Sequence, residues 1–396
     1  SLVCQHIGIA PASLYHHAIF QGGQFQRSQV EGWLALYSKD PTALMTSYSQ
    51  PFYNDFWSQL DALPGASRVN VPGVYIGGWY DTFLEGTIEG FRSRQLEGAE
   101  GARGKQKLVI GPWTHHWPLS TAFGDFQVPE AGRVTPVDYS PESWFAYHLK
   151  GEENAISHSP AVTYFLMGPF DGSESKGNVW RSADAWPPPS RALRLFLHPS
   201  HTLEATAPAE ETTLTYLYDP NDPVPTIGGH NLFLEAGPKD QRPIESRSDV
   251  LVFSSQPLSE DLEVAGRLNT LLTVSSNRAD TDYVVRLSDV YPDGRSILIA
   301  DGIVRLAALE PEAQADGDFD KPRQIAIPLG QSAIVFAKGH AIRLSVSSSN
   351  YPRFERNSNR PLSALGDEPV VAENRLHFGG DAEAWLELPV TLDTRQ

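Results

Sequence analysis

The stretch from Val71 to Trp117 limits what this chain can fold into more than any other. It opens with Val71-Pro-Gly-Val-Tyr-Ile-Gly-Gly-Trp-Tyr-Asp81 and closes with Lys107-Leu-Val-Ile-Gly-Pro-Trp-Thr-His115-His-Trp117. Each end is a short run rich in Val, Ile and Leu that stops at a glycine, the pattern of a buried strand meeting a turn. Between them, Phe83, Leu84, Ile88 and Phe91 fall near one face of a helix over residues 82–98. The unit is strand, Asp, helix, strand, His. In an open parallel sheet the carboxyl ends of the strands line the site, so Asp81 and His115 are expected to converge there. A carboxylate that orients an imidazole is two thirds of a serine-hydrolase triad, in the order Ser, Asp, His that α/β-hydrolases follow. The serine should come first, yet no Gly-x-Ser-x-Gly occurs in the sequence.

Length and charge narrow the rest. At 396 residues the chain is long enough for two cores. A net charge of −17 argues against a nucleic-acid groove and against binding to anionic membrane. No run of 18 apolar residues exists, so no transmembrane helix is expected. Cys4 is the single cysteine and His-Glu-x-x-His is absent, so no disulfide, catalytic metal or cofactor is expected. Asp316-Gly-Asp-Phe-Asp320 alternates carboxylates, but Lys321 and Pro322 follow where a calcium loop needs a regular backbone, and an exposed loop is the better reading. The start, Ser1-Leu-Val-Cys-Gln-His, has no basic end or apolar core of a signal peptide and reads as the inside of a longer chain. Ser1 as an N-terminal nucleophile is disfavoured by its strand-like surroundings. The compartment stays open with the cytoplasm favoured, and a homodimer is compatible with the sequence.

In chain order, Ile7-Gly-Ile-Ala reads as a strand end, followed by a loop through Leu14-Tyr15-His16-His17 to Gly22-Gly23. Residues 24–60 read as helical and aromatic-rich, a cap over a cleft, with Trp57 as core packing and Trp33 as the better pocket candidate. Residues 143–150 read as a helix capped by Gly151, and 162–167 as a strand. Trp186-Pro-Pro-Pro189 marks a stiff linker. Beyond it, nine short apolar or alternating runs recur between turn signals, which argues for a β-sandwich of jelly-roll type. The domain reading is therefore residues 1–24 and 67–185 as the α/β domain carrying Asp81 and His115, 25–66 as the helical cap, and 190–396 as the all-β sandwich.

With these motifs in hand, the chain resembles the CocE/NonD-type serine hydrolases, a family that includes cocaine-esterase-like, glutaryl-acylase, α-amino-acid ester hydrolase and Xaa-Pro dipeptidyl-peptidase members. The resemblance rests on Gly22-Gly23, Gly-Gly-Trp-Tyr-Asp81, Gly-Pro-Trp-Thr-His115, Trp144-Phe-Ala-Tyr-His-Leu-Lys-Gly151, Tyr218-Asp-Pro-Asn-Asp-Pro-Val-Pro-Thr-Ile-Gly-Gly229, Asp289-Val-Tyr-Pro-Asp-Gly294 and Ser347-Ser-Ser-Asn-Tyr-Pro-Arg353. It implies an α/β-hydrolase fold, here the C-terminal half of its sheet, with a helical cap and a C-terminal jelly roll. It implies Asp81 as triad acid, His115 as general base, and Phe83 and Trp33 as substrate-binding positions; His116 reads as structural. The nucleophile elbow and the oxyanion-hole Tyr of the family would lie upstream of Ser1. The expected function is cleavage of a carboxylic ester or amide, with a small-molecule or short-peptide substrate and an N-terminal segment, from the same precursor or a companion chain, supplying the serine. An Xaa-Pro dipeptidyl-peptidase-like activity and a non-catalytic binding module are the alternatives. Members acting on α-amino esters carry acidic residues just after the triad Asp; here Thr82 and Phe83 stand there, which favours an uncharged acyl side, with Glu85 and Glu89 still nearby.

Overall fold

In a computed structural model, which describes residues 2–40, 42–309, 320–361 and 366–392, the unit 71–117 forms the centre of a five-stranded sheet. Ser1 and residues 316–319 of the acidic loop lie outside the described residues. The strands are β1 (Gln5–Gly8), β2 (Gly73–Tyr80), β3 (Gln106–Thr114), β4 (Val162–Leu166) and β5 (Val179–Ala183), in that spatial order. The first four run parallel and β5 is antiparallel to β4. Almost every residue of β2, β3 and β4 is buried, as apolar strands covered on both faces must be. Helix α2 (Leu84–Glu97) joins β2 to β3 and buries Leu84, Ile88 and Phe91, three of the positions read from the sequence.

The cap is helical in pieces. It consists of α1 (Arg27–Tyr37) and two short helices, Ala43–Tyr48 and Asp55–Ser58, around a core of Tyr15, Phe20, Phe25, Val30 and Trp57. Its root differs from the expected loop. Residues Tyr15–Ile19 form a π-helical turn, and Phe20–Gln21 pairs with Gln24–Phe25 as a hairpin. Gly22 and Gly23 make the tip at φ of +55° and +80°, pressed on the sandwich so closely that a Cβ on Gly22 would lie 1.8 Å from the Ile303 carbonyl oxygen. Only glycine fits both demands.

From Ser190 onward the chain builds two antiparallel sheets, one of seven strands and one of four, giving the sandwich its two layers. Trp385–Thr391 is a strand absent from the runs read in the sequence, and it carries Pro389 at a central position in its sheet. It pairs with Ser190–Leu197 on one side and Leu262–Ser276 on the other. That second ladder is interrupted between Val264 and Asn269, where the missing proline N–H does no harm.

The linker is not a free spacer. Trp186 is buried against Trp79 and Tyr164, with ring centroids 5.4 and 5.3 Å away, and its Nε1 donates to Gln331 at 2.5 Å. Met167, just past β4, exchanges backbone hydrogen bonds with Ala333 and Val335 of the sandwich strand Arg323–Phe336, at 3.0 and 2.9 Å. One apolar core therefore runs through both units. Among the described residues no helix is long and apolar enough to cross a membrane, and no group of three or more His, Cys, Asp or Glu is arranged to hold a metal.

A buried ion pair seals the joint between cap root and sandwich. Arg353 donates to both oxygens of Asp301, at 2.7 and 2.5 Å, and to Gln21 of the hairpin at 3.2 Å. Burial alone would raise the Asp301 carboxyl, but the Arg353 guanidinium, with His230, holds it below the usual carboxylate range. Arg353→Met strands that charge and is expected to cost roughly 3–5 kcal/mol in denaturant unfolding, with Arg353→Met/Asp301→Asn recovering much of the loss.

Candidate active site

Strand register brings the two predicted residues together. Tyr80 and Thr114 are partners across β2 and β3, so the next residue on each parallel strand, Asp81 and His115, leaves the sheet side by side. Tyr80 is itself fixed, since its buried hydroxyl donates to the Leu298 carbonyl of the sandwich at 2.7 Å. Asp81 is wholly buried. Its Oδ1 accepts the Phe83 N–H at 2.6 Å and its Oδ2 lies 2.8 Å from His115 Nδ1. A carboxylate on Nδ1 keeps the proton of a neutral imidazole there and leaves Nε2 as the basic nitrogen. The His115 side chain is 19% exposed, and Nε2 has no hydrogen-bond partner among the described residues.

The other predicted residues divide. The Phe83 ring meets His115 edge to face, centroids 5.4 Å apart, and also packs against the cap core, so it touches both sides of a cleft. Trp33 sits on α1, nearly half exposed, and its ring makes no aromatic contact among the described residues. Trp57 is core, as expected. The His116 Nε2 is 3.1 Å from the Leu232 carbonyl, a structural role.

Two features of the site carry no signal in the sequence. The first is the sandwich loop 228–237. It supplies the Leu232 carbonyl to His116 and lays the Phe233 ring over Gly32 of α1, where a Cβ would fall 2.5 Å from a ring carbon. The second is Gln29 of α1, whose amide oxygen accepts the Thr82 hydroxyl and whose Nε2 donates to the Ala18 carbonyl at 2.6 Å.

Behind Asp81 lies a cavity of about 320 Å³ between cap root, α2 and sandwich, lined in part by His16, His17, Thr82, Glu85, Arg267 and Arg353. Burial lowers both histidines, His17 to about 4, so they are neutral near pH 7. Arg267 pairs with Glu85 at 3.2 Å and with Glu89 at 2.9 Å. A groove of about 590 Å³ on the sandwich, lined by Thr213, Arg323, His377 and neighbours, is larger but includes neither Asp81 nor His115. Phe83→Ala removes the wedge between cap and imidazole; about 1–3 kcal/mol should be lost in thermal or denaturant unfolding, less than for a fully buried Phe.

The X-Pro dipeptidyl-peptidase C-terminal non-catalytic domain matches residues 154–387, and the X-Pro dipeptidyl-peptidase S15 family matches residues 29–117. The chain belongs to the CocE/NonD and X-Pro dipeptidyl-peptidase family of serine hydrolases. It is 32% identical to the cocaine esterase of Rhodococcus sp. (strain MB1 Bresler) over 360 residues, which are 86% of this chain and 60% of that protein. The chain thus spans well under two thirds of this relative's length. Its fold is similar to an aminopeptidase from the marine sediment archaeon Thaumarchaeota archaeon, with a TM-score of 0.77, 22% identity, and coverage of 98% of this chain and 72% of the other. An α-amino acid ester hydrolase is similar in fold at a TM-score of 0.78, 20% identity, and coverage of 98% and 73%. The family's C-terminal domain model begins at residue 154, ahead of β4 and β5, two strands that here complete the hydrolase sheet.

Proposed function

We propose that this chain is the acid-and-base part of a serine hydrolase that cleaves a carboxylic ester or amide through an acyl-enzyme. The observation that carries the reading is the 2.8 Å contact from a wholly buried Asp81 to the Nδ1 of a partly exposed His115. His115 Nε2 would take the serine proton during attack on the carbonyl and return it to the leaving group; Asp81 would hold the tautomer and stabilise the imidazolium. A water activated by the same nitrogen would release the acyl group. The serine would come from a polypeptide segment outside these 396 residues. Two observations support that: no nucleophile-elbow motif occurs in the sequence, and among the described residues β1 pairs with no strand other than β2, leaving its outer edge to receive one. A non-catalytic module gains nothing from burying a carboxylate to aim an imidazole at solvent.

The substrate's acyl side would be uncharged. Glu85 and Glu89, the carboxylates nearest the triad acid on α2, are both ion-paired to Arg267, and Thr82 is committed to Gln29. The first turns of α2 thus offer poor purchase to a substrate ammonium, which weighs against an α-amino ester or aminopeptidase substrate. Fluorophosphonate labelling of the full-length protein, mapped by mass spectrometry, is expected to mark a serine outside these residues, and His115→Ala is expected to abolish the label. Asp81→Asn should lower turnover by about 10⁴ while the protein stays folded. A methyl ester of an uncharged acid should outpace its α-amino counterpart. A folded, full-length protein that takes no label sinks the hydrolase reading, and a preference for the amino ester sinks the substrate reading.

A further inference from the structure

Asp81, Thr82 and Phe83 are consecutive, and their side chains divide between His115 and the cap. Asp81 holds His115, Thr82 holds Gln29 of the cap helix α1, and Phe83 packs on both the His115 ring and the cap core. The Gln29 amide is buried and its orientation is dictated: the Ala18 carbonyl can only accept, so Nε2 must face it and Oε1 must face Thr82. The Thr82 hydroxyl is therefore a donor, and α1 cannot shift without losing that bond or dragging the turn. Three residues further along α1, Gly32 lies beneath the Phe233 ring, whose loop carries the Leu232 carbonyl bound by His116. The contacts close a ring: the turn of Asp81, Gln29, α1, Phe233, His116, His115 and back to Asp81. Within the turn, the Phe83 N–H on Asp81 Oδ1 ties the direction of the carboxylate to the backbone that Thr82 anchors.

We propose that Thr82 and Gln29 are positioning residues that couple the seat of cap helix α1 to the aim of the Asp81 carboxylate at His115. Cap displacement and loss of alignment in the acid–base pair are then one event. The kinetic part rests on the hydrolase reading above; the spectroscopic part does not.

The test uses the full-length protein and three variants. Thr82→Val keeps the shape and removes the donor, Thr82→Ser keeps the donor, and Gln29→Met removes the acceptor from the cap side. The proton on His115 Nδ1, held between ring and carboxylate, is followed as a downfield resonance in ¹⁵N-edited spectra. In Thr82→Val and Gln29→Met it is expected to broaden or move upfield, with kcat on an activated ester falling 10–100-fold and KM changing less than threefold. Thr82→Ser is expected to keep both the resonance and kcat near wild type. Thr82→Val and Gln29→Met proteins that melt earlier but keep the resonance and kcat overturn the coupling and leave a merely structural bond. Should Thr82→Val not fold, Gln29→Met with wild-type resonance and kcat overturns it equally. A wild type with the resonance but no hydrolysis counts against the hydrolase reading instead, and the resonance in the variants still decides the coupling.

Discussion

Everything near the site answers to one demand, that the Asp81 carboxylate, cut off from water, be given donors by its own surroundings. A buried carboxylate without them costs several kcal/mol. The donors are the Phe83 N–H and the His115 ring, so the chain must turn sharply after β2 and must end β3 one residue before a histidine. Those conditions hold only if β2 and β3 keep their register at the last pair. Trp79 and Tyr80 secure it from opposite sides, the indole donating to the Phe165 carbonyl of β4, on the far side of β3, and the phenol to Leu298 of the sandwich.

The domain that the family model describes as non-catalytic is consequently built into the site's geometry. It fixes Tyr80, presses Phe233 on the cap helix, ties down His116, and closes on the hairpin tip through Ile303 and Arg353. None of these contacts touches His115 Nε2. Their effect is to remove the freedom of the turn, the cap helix and the strand end around Asp81 and His115, so that a rigid frame holds the pair without entering it.

What the sequence makes legible follows from the range of the interaction that decides it. Strands 73–80 and 106–114, helix 84–97 and the convergence of Asp81 with His115 are governed by local periodicity and by one parallel pairing, and each can be read from the run 71–117. The alternating runs of the sandwich are equally local. The π-turn at Tyr15–Ile19 and the hairpin after it are not, because Gly22-Gly23 reads as a break until the surface of Ile303 is there to receive it. Trp385–Thr391, absent from the runs read in the sequence, carries Pro389, whose penalty vanishes only beside an interrupted ladder. Of the two aromatics expected at the pocket, Phe83 packs on the His115 ring because it follows the turn, while Trp33 sits nearly half exposed on α1. Contacts made by single side chains between residues far apart in the chain, such as Thr82 with Gln29 or Leu232 with His116, leave no trace in composition or period.

The short backbone ladder between Met167 and the strand Arg323–Phe336 bears on how the molecule could come apart. A protease cutting among Pro187, Pro188 and Pro189 would sever the covalent passage between the α/β unit and the sandwich, but not the hydrogen bonds at Met167 nor the one from Trp186 to Gln331. The nicked halves would remain a single particle. By the same reasoning, neither half can be inherited, transplanted or shuffled alone without exposing a seam of core: along this joint the unit of folding is larger than the unit that sequence boundaries suggest.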